Sequence, residues 1–193
     1  GAKHLVLTGR KDPSPEMQVR IRELTQAGVS VRTVPCDVAD SNSVEQLLAK
    51  IRSTQHPLKG VVHAAGMLAD SSILQQTWTR LKSVLEPKVK GTLNLHRATQ
   101  SDQLDFFVLF SSATGMMGAR GQANYAAANA FMDTFASYRR ALGKPALSIA
   151  WGPWAGGGMA TELDERARIQ FEKSGLTLID LQGGMDQFML LLG

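Results

Sequence analysis

The sequence predicts an α/β fold of the Rossmann type, a doubly wound parallel sheet with helices on both faces. Short apolar runs alternate with longer stretches of helical periodicity along the 193 residues, a pattern typical of parallel sheets covered on both sides. Hydrophobic residues make up 44% of the chain and charged residues 20%. This composition supports one well-buried core and predicts one domain.

The predicted elements follow one another in a strand–helix order. The run HLVLT at 4–8 predicts a strand, and the helix over 15–27 should end at Gly28. A helix is expected to begin directly after Asp40, with Ser41 and Glu45 in its first turn. The other expected strands are 29–36, 60–65, 105–112 and 146–151, and the other expected helices are 41–53, 78–85, 89–99, 124–142, 161–174 and 181–192.

Charge and cysteine usage exclude several classes of protein. The net charge is only +4 and the basic residues are scattered among acids, which does not indicate nucleic-acid binding. Cys36 is the single cysteine, so no disulfide can form within the chain, and a reducing cytoplasm is favoured. No apolar stretch is long enough to cross a membrane. The histidines lack metal-ligand spacing, and we expect no metal.

The segment at 110–131, FSSATGMMGARGQANYAAANAF, carries the residues that suit a reaction. Ser111 and Ser112 end a predicted strand, and Tyr125 and Asn129 lie four positions apart on the next helix, so they share one face. Ligands of such sheets bind at the carboxyl ends of the strands. Reduction of a ketone needs a proton donor where negative charge develops, and a tyrosine beside a cation can supply it.

These residues resemble the short-chain dehydrogenase/reductase family, whose catalytic set contains Ser and Tyr-x-x-x-Lys. Here Asn129 replaces that lysine, which resembles the ketoreductase domains of polyketide synthases and animal-type fatty acid synthases. In that subgroup the lysine comes from an earlier helix, and EPKVKG at 86–91 matches its context and supplies Lys88. Further matches are GAKHLVLTGR (1–10), CDVAD (36–40), GVVHAAGMLAD (60–70), WGPW (151–154) and GMA (158–160).

The resemblance implies four catalytic roles. Tyr125 would donate a proton to the nascent alkoxide, and Ser112 would hydrogen-bond the ketone oxygen. Lys88 would lower the pKa of Tyr125 and hold the nicotinamide ribose. Asn129 would hold the lysine or a water molecule of the proton relay. The hydride would come from the cofactor.

The expected cofactor is NADPH. The first predicted strand leads into Gly9, Arg10 and Lys11 with no acid before Asp12; an acid there would bind a ribose 2′-hydroxyl, whereas an arginine accepts a 2′-phosphate. The small residues Ala64, Ala65 and Gly66 would let the backbone approach the cofactor closely. By resemblance, the remaining cofactor contacts would be Asp37, Val38, Ser111, Gly152 and Pro153, together with Lys88 and Tyr125.

His63 lies where the wider family often has asparagine. We therefore expect it to be a structural histidine and not a catalytic one.

The glycine-rich phosphate loop of the family is missing from this sequence. The chain begins at what resembles the second strand of the fold and ends at what resembles the helix before the last strand. We therefore expect residues 1–193 to be the Rossmann-like subdomain of a ketoreductase, cut from a larger synthase, with the first βα unit and the last strand supplied from elsewhere.

The loop after the third predicted strand carries the expected stereochemistry. Leu68, Ala69 and Asp70 resemble the Leu-Asp-Asp motif of B-type ketoreductases, which give the D-configured 3-hydroxy product, although the middle acid is absent. Met117 replaces the tryptophan of A-type domains. Met159 would also face the substrate, and 155–174 would form a lid over the substrate arm.

The substrate would be a β-ketoacyl thioester on the phosphopantetheine arm of an acyl carrier protein, and other synthase domains would be partners. Three alternatives stay open. A stand-alone short-chain reductase is disfavoured by the exchange of Lys88 and Asn129. A scaffold domain without activity is favoured by the missing glycine loop and disfavoured by the four catalytic residues. A nucleotide-binding regulatory module is disfavoured by Tyr125.

Overall fold

The computed structural model describes residues 2–155 and 177–193. Parallel strands alternate with helices, as the sequence predicts. In chain order the elements are β1 (His4–Gly9), α1 (Pro15–Gln26), β2 (Ser30–Pro35), α2 (Ser41–Arg52), β3 (Gly60–His63), a 3₁₀ turn (Ile73–Gln75), α3 (Trp78–Leu85), a π-helix (Glu86–Lys90), α4 (Gly91–Ala98), β4 (Phe106–Ser112), α5 (Thr114–Met117), α6 (Ala123–Ala141), β5 (Leu147–Trp151) and α7 (Leu181–Leu192).

The strands form two parallel groups. One group is the pair β1–β2, and the other is β3–β4–β5 with β4 in the centre. Within the described residues, β1 and β3 are not hydrogen-bonded to each other. The parallel strands and the helices between them confirm the predicted α/β class with a Rossmann-type architecture.

The core lies on both faces of β4. Alternate residues of a strand point to opposite faces. Phe107 and Leu109 therefore pack with α2, α4 and α6 on one side, and Val108 packs with β5 and α7 on the other. All three side chains are fully buried. Coverage of both faces explains why β4 is almost continuously apolar instead of alternating.

Two helix ends follow directly from the local sequence. The carboxylate of Asp40 accepts a hydrogen bond from the backbone N–H of Asn42, so Asp40 is the N-cap of α2. Gly28, just beyond α1, has a φ of +85°, a left-handed conformation that glycine adopts without steric cost.

The structure corrects several predicted boundaries. The third strand ends at His63 and not at Ala65, because its pairing with β4 stops at the contact of His63 with Leu109. The residues before α4 form a π-helix, which no periodicity indicated. The residues between β4 and α6 contain the short helix α5, which was not among the predicted helices. The predicted helix 161–174, the lid beyond residue 155 and Met159 lie outside the described residues.

Within the described part of the chain, no helix has the length and apolarity needed to cross a membrane.

Candidate active site

The site lies where β4 ends and α6 begins. β4 ends at Ser112, α5 follows after a single residue, and the glycines Gly118 and Gly121 turn the chain through positive φ values into α6. This short connection returns the chain so that the first two turns of α6 lie beside the end of β4. Ser111 Oγ donates to the carbonyl oxygen of Asn129 at 3.2 Å, which joins the two elements.

Tyr125 is the best-placed acid at this junction. Its side chain is buried in a small apolar cluster with Val84 and Ala128, and the residue is 8% exposed. Burial raises the pKa of the Tyr125 phenol, whereas the nearby side chains of Asn129 and Ser112 lower it.

Lys88 supplies the cation. It lies in the π-helix and is only 2% exposed, although a lysine considered alone would be a solvated surface residue. Its Nζ donates to the carbonyl oxygen of Phe110 at 2.9 Å and lies 5.3 Å from the centre of the Tyr125 ring. Burial lowers the pKa of Lys88 to about 8, and the charge of Asp133 partly opposes this. A buried ammonium beside the phenol stabilises the tyrosinate form.

Asn129 is fully buried one helical turn after Tyr125. Its Nδ2 donates to the backbone carbonyl of Tyr125 at 2.8 Å. Its Oδ1 is buried and has no hydrogen-bond partner among the described residues. A buried acceptor of this kind normally has a donor, so the site can take a further donor group next to Tyr125.

The Ser112 hydroxyl is oriented by its neighbour. Its Oγ accepts from the backbone N–H and from the side-chain hydroxyl of Thr114, at 3.3 and 3.1 Å. These two contacts hold the Ser112 oxygen in place at the end of β4. The structure thus brings Lys88, Ser112, Tyr125 and Asn129 together, as the sequence predicted.

The loop of the expected stereochemical control packs against the start of α6. Asn124 Nδ2 donates to the carbonyl oxygen of Ala69 at 2.9 Å, and Gln122 Nε2 donates to Asp70 Oδ2 at 2.7 Å. Leu68 packs against the Tyr125 cluster. Met117 lies on α5 and is 63% exposed.

The expected cofactor residues follow the carboxyl ends of strands. Arg10 follows β1 and is exposed; Ala64, Ala65 and Gly66 follow β3 and are not buried; Gly152 and Pro153 follow β5. Small residues at a strand end and the unpartnered Asn129 Oδ1 suit a cofactor that carries ribose hydroxyls. This donor and acceptor set fits a nicotinamide dinucleotide.

Two of the expected cofactor contacts, Asp37 and Val38, already form hydrogen bonds within the protein. The Asp37 carboxylate accepts from the backbone N–H of Ala39 at 2.9 Å, and the carbonyl oxygen of Val38 accepts from Asn94 at 2.9 Å. These bonds fix the turn after β2, so the contacts that remain for a ligand are the Val38 side chain and the free lone pairs of Asp37.

Sequence reasoning did not assign Thr114, Gln122 or Asn124 to the site. Gln122 and Asn124 flank the start of α6, close to Tyr125 in the chain, and that proximity was the available signal. Thr114 gave none, because its contact with Ser112 depends on the unexpected α5.

Comparison with known proteins agrees with this geometry. A family profile described as KR domain matches residues 1–156. The spectinabilin polyketide synthase system protein NorB of Streptomyces orinoci is 46% identical over 190 residues, which are 97% of this chain and 9% of that protein.

Two solved structures are similar over nearly the whole chain. One, of A-type ketoreductases from a modular polyketide synthase, has a TM-score of 0.92 and 36% identity, covering 100% of this chain and 40% of that one. The other, a ketoreductase domain from the bacillaene assembly line, has a TM-score of 0.89 and 35% identity, covering 96% of this chain and 46% of that one. The chain thus spans less than half of each solved chain.

A profile match over 156 of 193 residues, a relative that is 46% identical over nearly the whole chain, and the agreement of the folds lead to one assignment. The chain belongs to the KR domain family, the ketoreductase domains of polyketide synthases.

Proposed function

We propose that this chain catalyses the NADPH-dependent reduction of a carrier-bound β-ketoacyl thioester to the 3-hydroxyacyl thioester. One observation carries the proposal: the buried Lys88 ammonium lies 5.3 Å from the ring of the buried Tyr125, beside the Ser112 hydroxyl. A proton donor, a cation that tunes it and a hydrogen-bond donor for the ketone are the groups that this reduction needs.

In this mechanism the Ser112 hydroxyl donates a hydrogen bond to the ketone oxygen and orients it toward the Tyr125 phenol. Tyr125 transfers its proton to the oxygen as negative charge develops there. The Lys88 charge stabilises the resulting tyrosinate, and Asn129 Oδ1 accepts from a donor that returns the proton. The apolar cluster around Tyr125 excludes water, which strengthens each of these interactions.

The nicotinamide cofactor, when bound, supplies the hydride. Lys88 would hold its ribose, and Ala64, Ala65, Gly66, Gly152 and Pro153 would border it. The preference for NADPH over NADH is supported by the exposed Arg10 at the end of β1, since an arginine there suits a 2′-phosphate.

We infer a D-configured product, as expected of a B-type domain. The inference is supported by Asp70, whose carboxylate is bound by Gln122 at the start of α6 and so lies on the Tyr125 side of the molecule. The similarity to an A-type structure, at 36% sequence identity, is a similarity of the fold and does not assign the product configuration. Chiral analysis of the alcohol tests the inference, and an L-configured product refutes it.

The proposed reaction implies two kinds of partner. One is an acyl carrier protein, which presents the substrate on its phosphopantetheine arm, and the other is the neighbouring domains of a synthase. The relatives carry polyketide synthase names, which supports this setting. We place the reaction in the cytoplasm, where the unpaired Cys36 thiol stays reduced.

The test is NADPH oxidation with a β-ketoacyl N-acetylcysteamine thioester, using the native full-length protein. Tyr125→Phe keeps the ring but removes the proton, and we expect a loss on the order of 1000-fold in kcat with NADPH binding retained. Tyr138→Phe is the matched control, because Tyr138 lies on the same helix and is 53% exposed. If the native protein binds NADPH without any turnover, the proposal is wrong and a scaffold role takes its place.

A further inference from the structure

Lys88 lies in the π-helix Glu86–Lys90. Single π-turns within helices are rare and are frequently found at functional sites. Lys88 extends from this π-turn, and its Nζ donates to the carbonyl oxygen of Phe110. Such burial is unusual, because lysine side chains are almost never fully buried without a partner.

The π-turn changes the hydrogen bonding of one carbonyl. In an α-helix the N–H of Gly91 would bond to the carbonyl oxygen of Pro87, four residues earlier. It bonds instead to the carbonyl oxygens of Glu86 and Lys88. The Pro87 carbonyl, directly before Lys88 in the chain, loses its usual donor and needs another one.

His63 supplies that donor from the end of β3. Its Nε2 lies 3.0 Å from Pro87 O. Since a carbonyl oxygen can only accept, Nε2 must carry the hydrogen. The ring is 2% exposed, and burial together with the nearby Lys88 charge lowers the pKa of His63 to about 4. The imidazole is therefore neutral at pH 7 and is held as the Nε2–H tautomer.

The helix can come this close to His63 only because residue 91 is glycine. A Cβ at Gly91 would lie 2.9 Å from Val38 Cγ2 and 3.1 Å from His63 Cε1 and Nε2. Val38 belongs to the turn after β2, and Asn94 on α4 bonds to its carbonyl oxygen. His63 is thus packed at the point where β3, that turn and the helix carrying Lys88 meet.

We propose that His63 is a positioning residue for Lys88, and that its hydrogen bond to Pro87 O fixes the π-turn which aims the lysine at Tyr125. The proposal rests on the catalytic role of Lys88 given above. It assigns a function in the reaction to a histidine that the sequence presented as purely structural.

Two substitutions separate positioning from simple packing. His63→Leu has a similar volume and removes the N–H donor, whereas His63→Gln can place an amide N–H near the position of Nε2. In the native full-length protein we expect His63→Leu to lower kcat roughly 10-fold to 100-fold. We expect His63→Gln to stay within about three-fold of native, since the hydrogen bond can form again.

Two further measurements would not respond to a packing defect alone. In His63→Leu we expect the pH at half-maximal kcat to move upward, because a displaced Lys88 no longer stabilises the tyrosinate. NADPH affinity, measured by fluorescence titration, should weaken in His63→Leu and not in His63→Gln. Circular dichroism spectra of both variants verify that they are folded.

The outcomes distinguish this inference from the proposed function. If Lys88→Met and Tyr125→Phe abolish turnover while folded His63→Leu keeps the native kcat and pH profile, His63 is not a positioning residue. The same holds if both His63 variants lose activity equally without a change in pH profile. If Lys88→Met itself retains native turnover, the proposed function fails, and the role of His63 fails with it.

Discussion

Replacing Lys88 by methionine separates the catalytic value of the buried charge from its cost to stability. Methionine keeps an unbranched apolar stem in the space between Phe110 and Met132 and removes only the ammonium group. This substitution has two effects with separate energies, one on the catalytic barrier and one on the free energy of unfolding.

On the catalytic side, the relevant separation is the 5.3 Å between Lys88 Nζ and the centre of the Tyr125 ring. Two unit charges at that distance interact by about 3 kcal/mol at an effective dielectric constant of about 20. Because this attraction exists only when Tyr125 has given up its proton, its loss raises the barrier directly. We expect kcat to fall on the order of 100-fold.

On the stability side, burial moves the pKa of Lys88 from 10.5 to about 8. This lowering corresponds to about 3 kcal/mol. Between these two pH values the unfolded chain holds a proton that the folded chain has released, so native stability rises with pH. Methionine has no such linkage. Any stability advantage of Lys88→Met below pH 8 should therefore shrink by about 3 kcal/mol as the pH rises to 10.5.

The two measurements are NADPH oxidation with a β-ketoacyl N-acetylcysteamine thioester and urea unfolding at several pH values. Lys90→Met is the matched control: Lys90 belongs to the same π-helix, but its side chain is 58% exposed and only forms an ion pair with Glu86, which is worth little. A kcat for Lys88→Met close to that of Lys90→Met would refute the catalytic reasoning. If the free energy of unfolding depends on pH in the same way in the native protein and in Lys88→Met, the Lys88 charge is not buried.

Three other predictions concern the frame around the site. Arg139→Met should lower the free energy of urea unfolding by roughly 3 kcal/mol, because buried Arg139 donates to His96 Nδ1 at 2.6 Å and its loss leaves that nitrogen without a donor. Arg140 is exposed, so Arg140→Met should lower it far less. Equal losses in the two variants would contradict this prediction. The free energy of unfolding should fall by about 3 kcal/mol as the pH is lowered from 6.5 to 4, because His63 is neutral in the folded chain and protonated in the unfolded chain over this range. If the His63→Gln variant shows the same loss of stability in acid as the native protein, this prediction is wrong. Gly91→Ala should lower kcat roughly 10-fold, because the added Cβ displaces the π-turn from His63 and Val38. A native kcat would show that these side chains move aside without displacing the π-turn.

Much of the site could be predicted from the sequence because parallel sheets place their chemistry at strand ends. Ser111 and Ser112 end β4 where the apolar run stops, and the four-residue spacing of Tyr125 and Asn129 fixes one face of α6. Both features depend on the side-chain periodicity within one strand or one helix, so they can be predicted without knowing how the elements pack. The resemblance then added Lys88, which no local pattern marks as buried.

The boundaries that were wrong share a physical cause. β3 ends at His63, opposite Leu109, although β4 continues to Ser112 along its other edge beside β5. A strand length of this kind depends on pairing with a neighbour that is distant in the chain. The π-turn before α4 contains Pro87, which lacks an N–H, and is followed by Gly91, which lies close to His63 and Val38. Neither contact is visible in a window of the sequence.

The sequence by itself determined the alternation of strands and helices, the α/β class and the positions of Ser112, Tyr125 and Asn129, since each depends on side-chain periodicity within one element. Only the tertiary structure decided that Lys88 is buried under Phe110 and that His63 donates to Pro87. These contacts join residues 22 to 24 positions apart in the chain. Their energies come from desolvation and from hydrogen bonds that exist only once the elements have packed together.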